Sequence, residues 1–185
     1  MKSTATDLKD VLMLEPRVFS DARGHFFESW NLAQYRSLGI PADFVQDNVS
    51  TSLRGVLRGL HAQHPHDQGK LVSVLHGAVY DVAVDIRRNS PTRGRWVGVT
   101  LSGENRRQLF VPPGFAHGFQ VLSESAVFSY KCTEYYHPEC EFTIRWDDPD
   151  IGVHWPINPP VLSEKDQSGV LLVDLPGERS PSYVG

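Results

Sequence analysis

Residues 71–87 read LVSVLHGAVYDVAVDIR, and their period decides the fold. Leu71 to Leu75 is an apolar run, His76-Gly77 supplies a turn, and Ala78 to Arg87 follows in alternation. In that second run Tyr80, Val82, Val84 and Ile86 share one face, while Asp81, Ala83, Asp85 and Arg87 share the other. A period of two sends successive side chains to opposite faces of a strand, so both runs are predicted as strands. The pattern continues outward. Ser90-Pro91-Thr92 marks a turn, Trp96 to Leu101 a strand, and residues 102–106 a polar turn. Gln108 to Val111 is another strand, broken by Pro112-Pro113-Gly114. Phe115 to Leu122 and Ala126 to Thr133 are two more, joined by Ser123-Glu124-Ser125. On the N-terminal side the period-two character begins near Phe44. Many short strands at regular spacing predict a mostly β chain, a sandwich or jelly roll. One short helix is predicted from Asn31 to Leu38, capped by Asn31 and ended by Gly39. The tail after Trp155 is Pro-rich, irregular from about residue 156 and mildly helical around Ser163 to Ser168.

Composition agrees. The chain has 185 residues, 40% apolar and 22% charged, with 15 Gly and 13 Pro. These values are ordinary for a globular protein and exclude collagen, coiled coil and wholesale disorder. One domain spanning residues 1–185 is expected. The net charge of −4 argues against a general nucleic-acid partner, although basic residues can still line one pocket. The start, MKSTATDLKDVLMLEP, has no apolar stretch long enough for a signal peptide, and no window approaches the roughly 18 apolar residues of a membrane span. Cys132 and Cys140 form no CxxC pair, so free thiols in a reducing compartment, the cytoplasm, are expected.

Polar residues in phase with an apolar inner face are the candidates for chemistry. His117 alternates with Phe115, Phe119 and Val121, and Tyr130 with Ala126, Phe128 and Cys132. Gln46 and Asn48 are in phase with Phe44; His61 and Gln63 are in phase with Leu57 and Gly59. Several such groups on different strands suggest a polar cavity inside a barrel. Strict alternation puts Arg58 and His61 on opposite faces, so a shared cavity requires a bulge near Gly59. His64 and His66, beside Pro65 and Asp67, read as exposed loop residues. Asp81 reads more simply as an ordinary strand aspartate than as a partner for His117. A metal site is not expected: His61-Ala62-Gln63 lacks the second histidine of an HxH pair, no Glu follows before Lys70, and a cation beside Lys70 is disfavoured.

Eight blocks in order carry a resemblance: FSDARGHFFE (19–28), QDNVS (46–50), RGLHAQ (58–63), QGKLV (68–72), DVAVDIR (81–87), PPGFAHGF (112–119), YKCTEYY (130–136) and LSEKD (162–166). The chain resembles the dTDP-4-dehydrorhamnose 3,5-epimerases over most of its length. The resemblance implies a cupin-type jelly roll, a double-stranded β-helix barrel with a few short helices. It also implies an isomerase that inverts carbons beside a C4 ketone without a redox cofactor. The protons on those carbons are acidic because the carbanion delocalises into the carbonyl. By the same resemblance His61 is the base, Asp166 orients it, Lys70 stabilises the enolate oxygen, and Tyr130 returns a proton from the opposite face. Arg23 and Arg58 match diphosphate binders, as guanidinium forks suit phosphate. Glu28, Gln46, Asp47, Asn48, His117, Glu141 and Lys165 match other substrate-binding positions, and Tyr136 the ring that stacks on thymine. The implied substrate is a dTDP-4-keto-6-deoxyhexose. The implied assembly is a homodimer whose N-terminal strands cross to the partner, so that Arg23 and Glu28 complete the neighbour's site. Ala62, where an aromatic residue is usual, and Phe142-Thr143-Ile144 depart from the commoner pattern and bear on fine specificity. A C3-only or C5-only epimerase, or a non-catalytic sugar-nucleotide binder, stays open as an alternative.

Overall fold

A computed structural model describes residues 1–40 and 43–183. In chain order the described strands are β1 (Lys2–Ala5), β2 (Leu12–Glu15), β3 (Phe19–Asp21), β4 (Gly24–Phe26), β5 (Gln46–Leu53), β6 (Leu57–Gln63) and β7 (Lys70–His76). They continue with β8 (Ala78–Asp85), β9 (Trp96–Ser102), β10 (Gln108–Val111), β11 (Phe115–Val121), β12 (Ser125–Cys132) and β13 (Glu141–Thr143). Helix α1 is Leu32–Ser37 and α2 is Glu164–Gln167. A six-stranded sheet runs β1-β2-β10-β7-β12-β5, a five-stranded sheet runs β13-β6-β11-β8-β9, and β3-β4 form a separate hairpin. All the pairings between these strands are antiparallel. The two large sheets face each other as a cupin-type β barrel.

The deciding stretch does not fold back on itself. β7 belongs to one sheet and β8 to the other, so His76-Gly77 is a corner between sheets. Gly77 has φ +77°, and a Cβ there would sit 2.1 Å from the Ser125 carbonyl oxygen; only glycine fits. β8 is buried on both faces. Val79 and Ala83 point between the sheets with Phe115, Phe119 and Phe128. Val82, Val84 and Ile86 point outward, where Ile151, Leu172 and Leu175 from the C-terminal segment cover them. The apolar face read from the sequence is therefore the outer one, and Asp81 lies on the inner one.

The other sheet is covered as well. α1 lays Tyr35 and the following Ile40 against Leu14, Leu71 and Phe110. Asn31 Oδ1 caps α1 by accepting the Gln34 N–H at 3.2 Å, and Gly39 at φ +84° follows its end. Each fully buried apolar side chain of this size contributes roughly 2 kcal/mol.

The bulge required by the sequence is present. β11 pairs with β6 through His117–His61 and then Phe119–Arg58, with a register shift between them. Gly59 has φ +132°, and a Cβ on it would lie 2.5 Å from Gly118 Cα. The extra residue turns Arg58 and His61 into the same cavity. The helical tail reduces to α2, capped by Ser163, whose Oγ accepts the Asp166 N–H at 3.2 Å. β1 to β4 and β13 carry no clear period because each has only three or four residues. Among the described residues no helix is long and apolar enough to cross a membrane.

Candidate active site

A cavity of about 330 Å³ opens between the two sheets. Its five-stranded wall carries Arg58, His61 and Gln63 from β6, His117 and Phe119 from β11, and Glu141 from β13. Its six-stranded wall carries Gln46, Asn48 and Ser50 from β5, Lys70 from β7, and Phe128 and Tyr130 from β12. Tyr136, Gln68 and Lys165 edge the mouth.

His61 and Asp166 form a dyad. Nε2 of His61 lies 2.6 Å from Oδ1 of Asp166, a residue only 3% exposed. The carboxylate also accepts the Ser163 hydroxyl at 2.6 Å and the Gly59 N–H at 3.2 Å. Burial pushes its pKa up, but the hydrogen bonds from His61, Ser163 and Gly59 outweigh burial and hold it below the usual carboxylate range. An ionised Asp166 fixes the proton on Nε2 and leaves Nδ1 as the basic nitrogen. Asp166 reaches its place because α2 packs against β6, 105 residues away in sequence.

Tyr130 stands on the opposite sheet. Burial first, then the neighbouring Cys132 and Glu141, push its phenol up, so it carries its proton at neutral pH. Lys70 is 8% exposed, and its Nζ has no hydrogen-bonded partner among the described residues. Burial lowers its pKa against the opposing pull of Cys132, Glu141 and Asp81. In so dry a site an ammonium acts strongly on any oxyanion that forms beside it.

A second histidine–carboxylate pair sits alongside. His117 Nε2 lies 3.0 and 3.1 Å from the two oxygens of the fully buried Asp81. This corrects the reading of Asp81 as an ordinary strand residue. Register explains the pairing: Asp81 is opposite Phe119 and Ala83 opposite His117, so Asp81 is the diagonal neighbour on the inner face. A carboxylate buried there requires a partner.

At the mouth, Glu141 accepts from Lys165 Nζ at 2.5 Å and from Tyr136 OH at 2.8 Å. Burial raises the Glu141 carboxyl, but those two donors prevail and hold it low. Arg58 donates through Nε to Ser52 Oγ at 3.0 Å, leaving its terminal nitrogens without a protein acceptor among the described residues.

Three predicted site residues are not brought to this cavity. Asp47 follows Gln46 in β5, so its side chain takes the outer face and pairs with Lys131 Nζ at 2.8 Å. Arg23, on the β3–β4 hairpin, is exposed and pairs with Asp21 at 2.6 Å. Glu28 is exposed and accepts from Asn31. His66 is exposed as predicted, but His64 is half-buried, with Nδ1 2.9 Å from Asp67 Oδ2. Ser50, in the cavity wall, has a buried hydroxyl without a partner. Its phase with Gln46 and Asn48 is the signal that marks it. Among the described residues no three His, Cys, Asp or Glu side chains are placed to hold a metal ion.

A family model described as dTDP-4-dehydrorhamnose 3,5-epimerase matches residues 5–174. The chain belongs to this family. The dTDP-4-dehydrorhamnose 3,5-epimerase of Salmonella typhimurium is 56% identical over 170 residues, covering 90% of this chain and 93% of its own. A dTDP-6-deoxy-D-glucose-3,5-epimerase from Legionella pneumophila, solved in complex with dTDP-4-keto-L-rhamnose, is 53% identical. It superposes with a TM-score of 0.97 over 100% of this chain and 99% of that one. A 3'-monoepimerase from Streptomyces bikiniensis, solved with dTDP-quinovose, is 33% identical, with a TM-score of 0.85 over 91% of this chain and 87% of that one. The epimerase family accounts for the eight sequence blocks, and the double epimerases named here are nearer in sequence than this monoepimerase.

Proposed function

We propose that this chain is an isomerase that inverts C3 and C5 of dTDP-4-dehydro-6-deoxy-D-glucose, yielding dTDP-4-dehydro-L-rhamnose without a redox cofactor. The observation that carries the reading is the placement of His61 and Tyr130 on facing walls of one cavity, with Lys70 beside Tyr130's strand. Inversion needs a proton removed from one side of the ring and returned from the other. His61 Nδ1 takes the proton next to the ketone, while Asp166 holds the imidazole and balances the imidazolium. The electron pair moves into the carbonyl, and the Lys70 ammonium stabilises the resulting enolate oxygen. Tyr130 then donates its phenolic proton from the opposite wall. Arg58 holds the diphosphate, and Tyr136 meets the base at the mouth. His117, Gln46, Asn48, Glu141 and Lys165 contact the remaining polar groups.

We further propose a homodimer acting in the cytoplasm. The β3–β4 hairpin presents Phe19 and Phe26, 49% and 67% exposed, away from the chain's own cavity. The edge strand β5 exposes Val49 and Leu53. A second copy that takes up the hairpin covers these apolar groups and receives Arg23 and Glu28.

Proton exchange in D₂O, followed by NMR, tests the chemistry. Deuterium is expected at both C3 and C5, and label at one carbon alone reduces the enzyme to a monoepimerase. His61→Ala is expected to abolish exchange while dTDP binding stays measurable. Unchanged turnover in that variant removes His61 from the role of base.

A further inference from the structure

Residues 134–137, which carry Tyr136, lie between β12 and β13 and make no backbone pairing with either sheet. Glutamine side chains hold it instead. Gln63, two residues beyond His61 in β6, is buried and commits both ends of its amide to backbone. Nε2 donates to the carbonyls of His66 at 2.5 Å and Tyr135 at 3.0 Å, and Oε1 accepts the His137 N–H at 2.8 Å. Both amide donors are thus occupied. Gln68 Nε2 donates to the Glu134 carbonyl at 2.9 Å, and Gln46 Oε1 accepts the Tyr136 N–H at 2.9 Å. The peptide groups before and after Tyr136 are therefore tied to the barrel. The stacked rings of His66 and His137, 4.3 Å apart, close the same joint.

We infer that Gln63, assisted by Gln68, is a positioning residue that fixes the Tyr136 ring at the mouth and so sets affinity for the flat aromatic end of the nucleotide. It lines the cavity without donors free for a ligand. A loop released from it must be reordered at each binding event, which weakens binding and leaves proton transfer to other groups. The inference rests on the proposed reading, in which Tyr136 meets the base.

The test combines dTDP titration calorimetry with steady-state kinetics on the dTDP-sugar. Gln63→Leu is expected to weaken dTDP binding about tenfold or more, the equivalent of one to two buried hydrogen bonds. KM rises by a similar factor, and kcat falls by much less. In a Tyr136→Ala background the same change adds almost nothing, because it acts through that ring. Gln63→Glu regains affinity as pH falls and its carboxyl becomes a donor again, whereas Gln63→Leu stays flat. Gln68→Leu removes one bond from a less buried side chain and repeats the KM-weighted pattern at smaller size, even where Gln63→Leu fails to fold. A kcat loss equal to the KM effect, or a loss that adds fully to Tyr136→Ala, overturns the inference. If dTDP does not bind the unmodified protein, the reading of the site fails and the inference with it. If dTDP binds and the losses add, only the inference fails.

Discussion

Lys70 is placed where an ammonium is least comfortable. It begins β7, is almost fully buried, and has no paired carboxylate in hydrogen-bond reach among the described residues. Burial lowers its pKa below the ordinary lysine value of 10.5. The unfolded chain therefore keeps this proton at pH values where the folded chain has released it. Stability must rise with pH between the lowered folded value and 10.5, and the full penalty is felt below that window. Lys70→Met, which keeps the stem and removes the charge, is expected to raise stability at pH 7 by about 1–3 kcal/mol. For a chain of this size that is a Tm increase of roughly 2–10 °C. Turnover should fall at least about a thousandfold, because the enolate loses its counter-charge. Scanning calorimetry should show the advantage shrinking as pH is raised toward 10. A Lys70→Met protein that melts below the unmodified one at pH 7 contradicts this account.

β6 shows how one element sets the site. Gly59 gives it a bulge, and without that bulge Arg58 and His61 face opposite sides of the sheet. Gly59→Ala meets both a positive φ and a contact 2.5 Å from Gly118 Cα. It is expected to cost about 3 kcal/mol or more, a Tm loss of roughly 6 °C or more. A thermal melt unchanged by Gly59→Ala shows that the bulge is not needed. The requirement for a bulge was legible from alternation alone, and β7 to β12 were legible as apolar or alternating runs bounded by turn residues. His117 and Tyr130 were legible as inward polar groups for the same reason. The roles of Lys70 and Asp166 came only from resemblance, since neither lies in a periodic polar face. The Asp81–His117 pair was visible only as the less favoured reading, because register between strands is not written in either strand. The outward use of Tyr80, Val82 and Val84 was hidden because a strand buried on both sides gives no sign of which face is the barrel.

Across the whole molecule, the proposed dimer makes a prediction that no monomer can meet. Arg23→Ala and His61→Asn are each expected to be inactive. If the hairpin is exchanged, a mixed dimer has one cavity with an intact His61 and an intact Arg23. Refolding the two variants together at equal amounts should then restore about a quarter of full activity, the share of intact sites in a random mixture. Recovery near zero places Arg23 in its own chain's site, and an Arg23→Ala protein that is active by itself places it in none. The C-terminal segment has a comparable reach. It covers the outer face of the five-stranded sheet through Leu172 and Leu175, and it delivers Asp166 to His61. Its pairing with the barrel is sparse, with single bridges such as Val56–Val161 and Ile144–Val170. A segment held this way can detach below the temperature at which the sheets separate. The enzyme is thus expected to go silent before it melts: residual activity in a heating series should fall at a lower temperature than the far-UV signal, and return on cooling. In this protein the loss of a working base is an early warning of unfolding, because the latch of the barrel and the tuning of its chemistry are the same strip of chain.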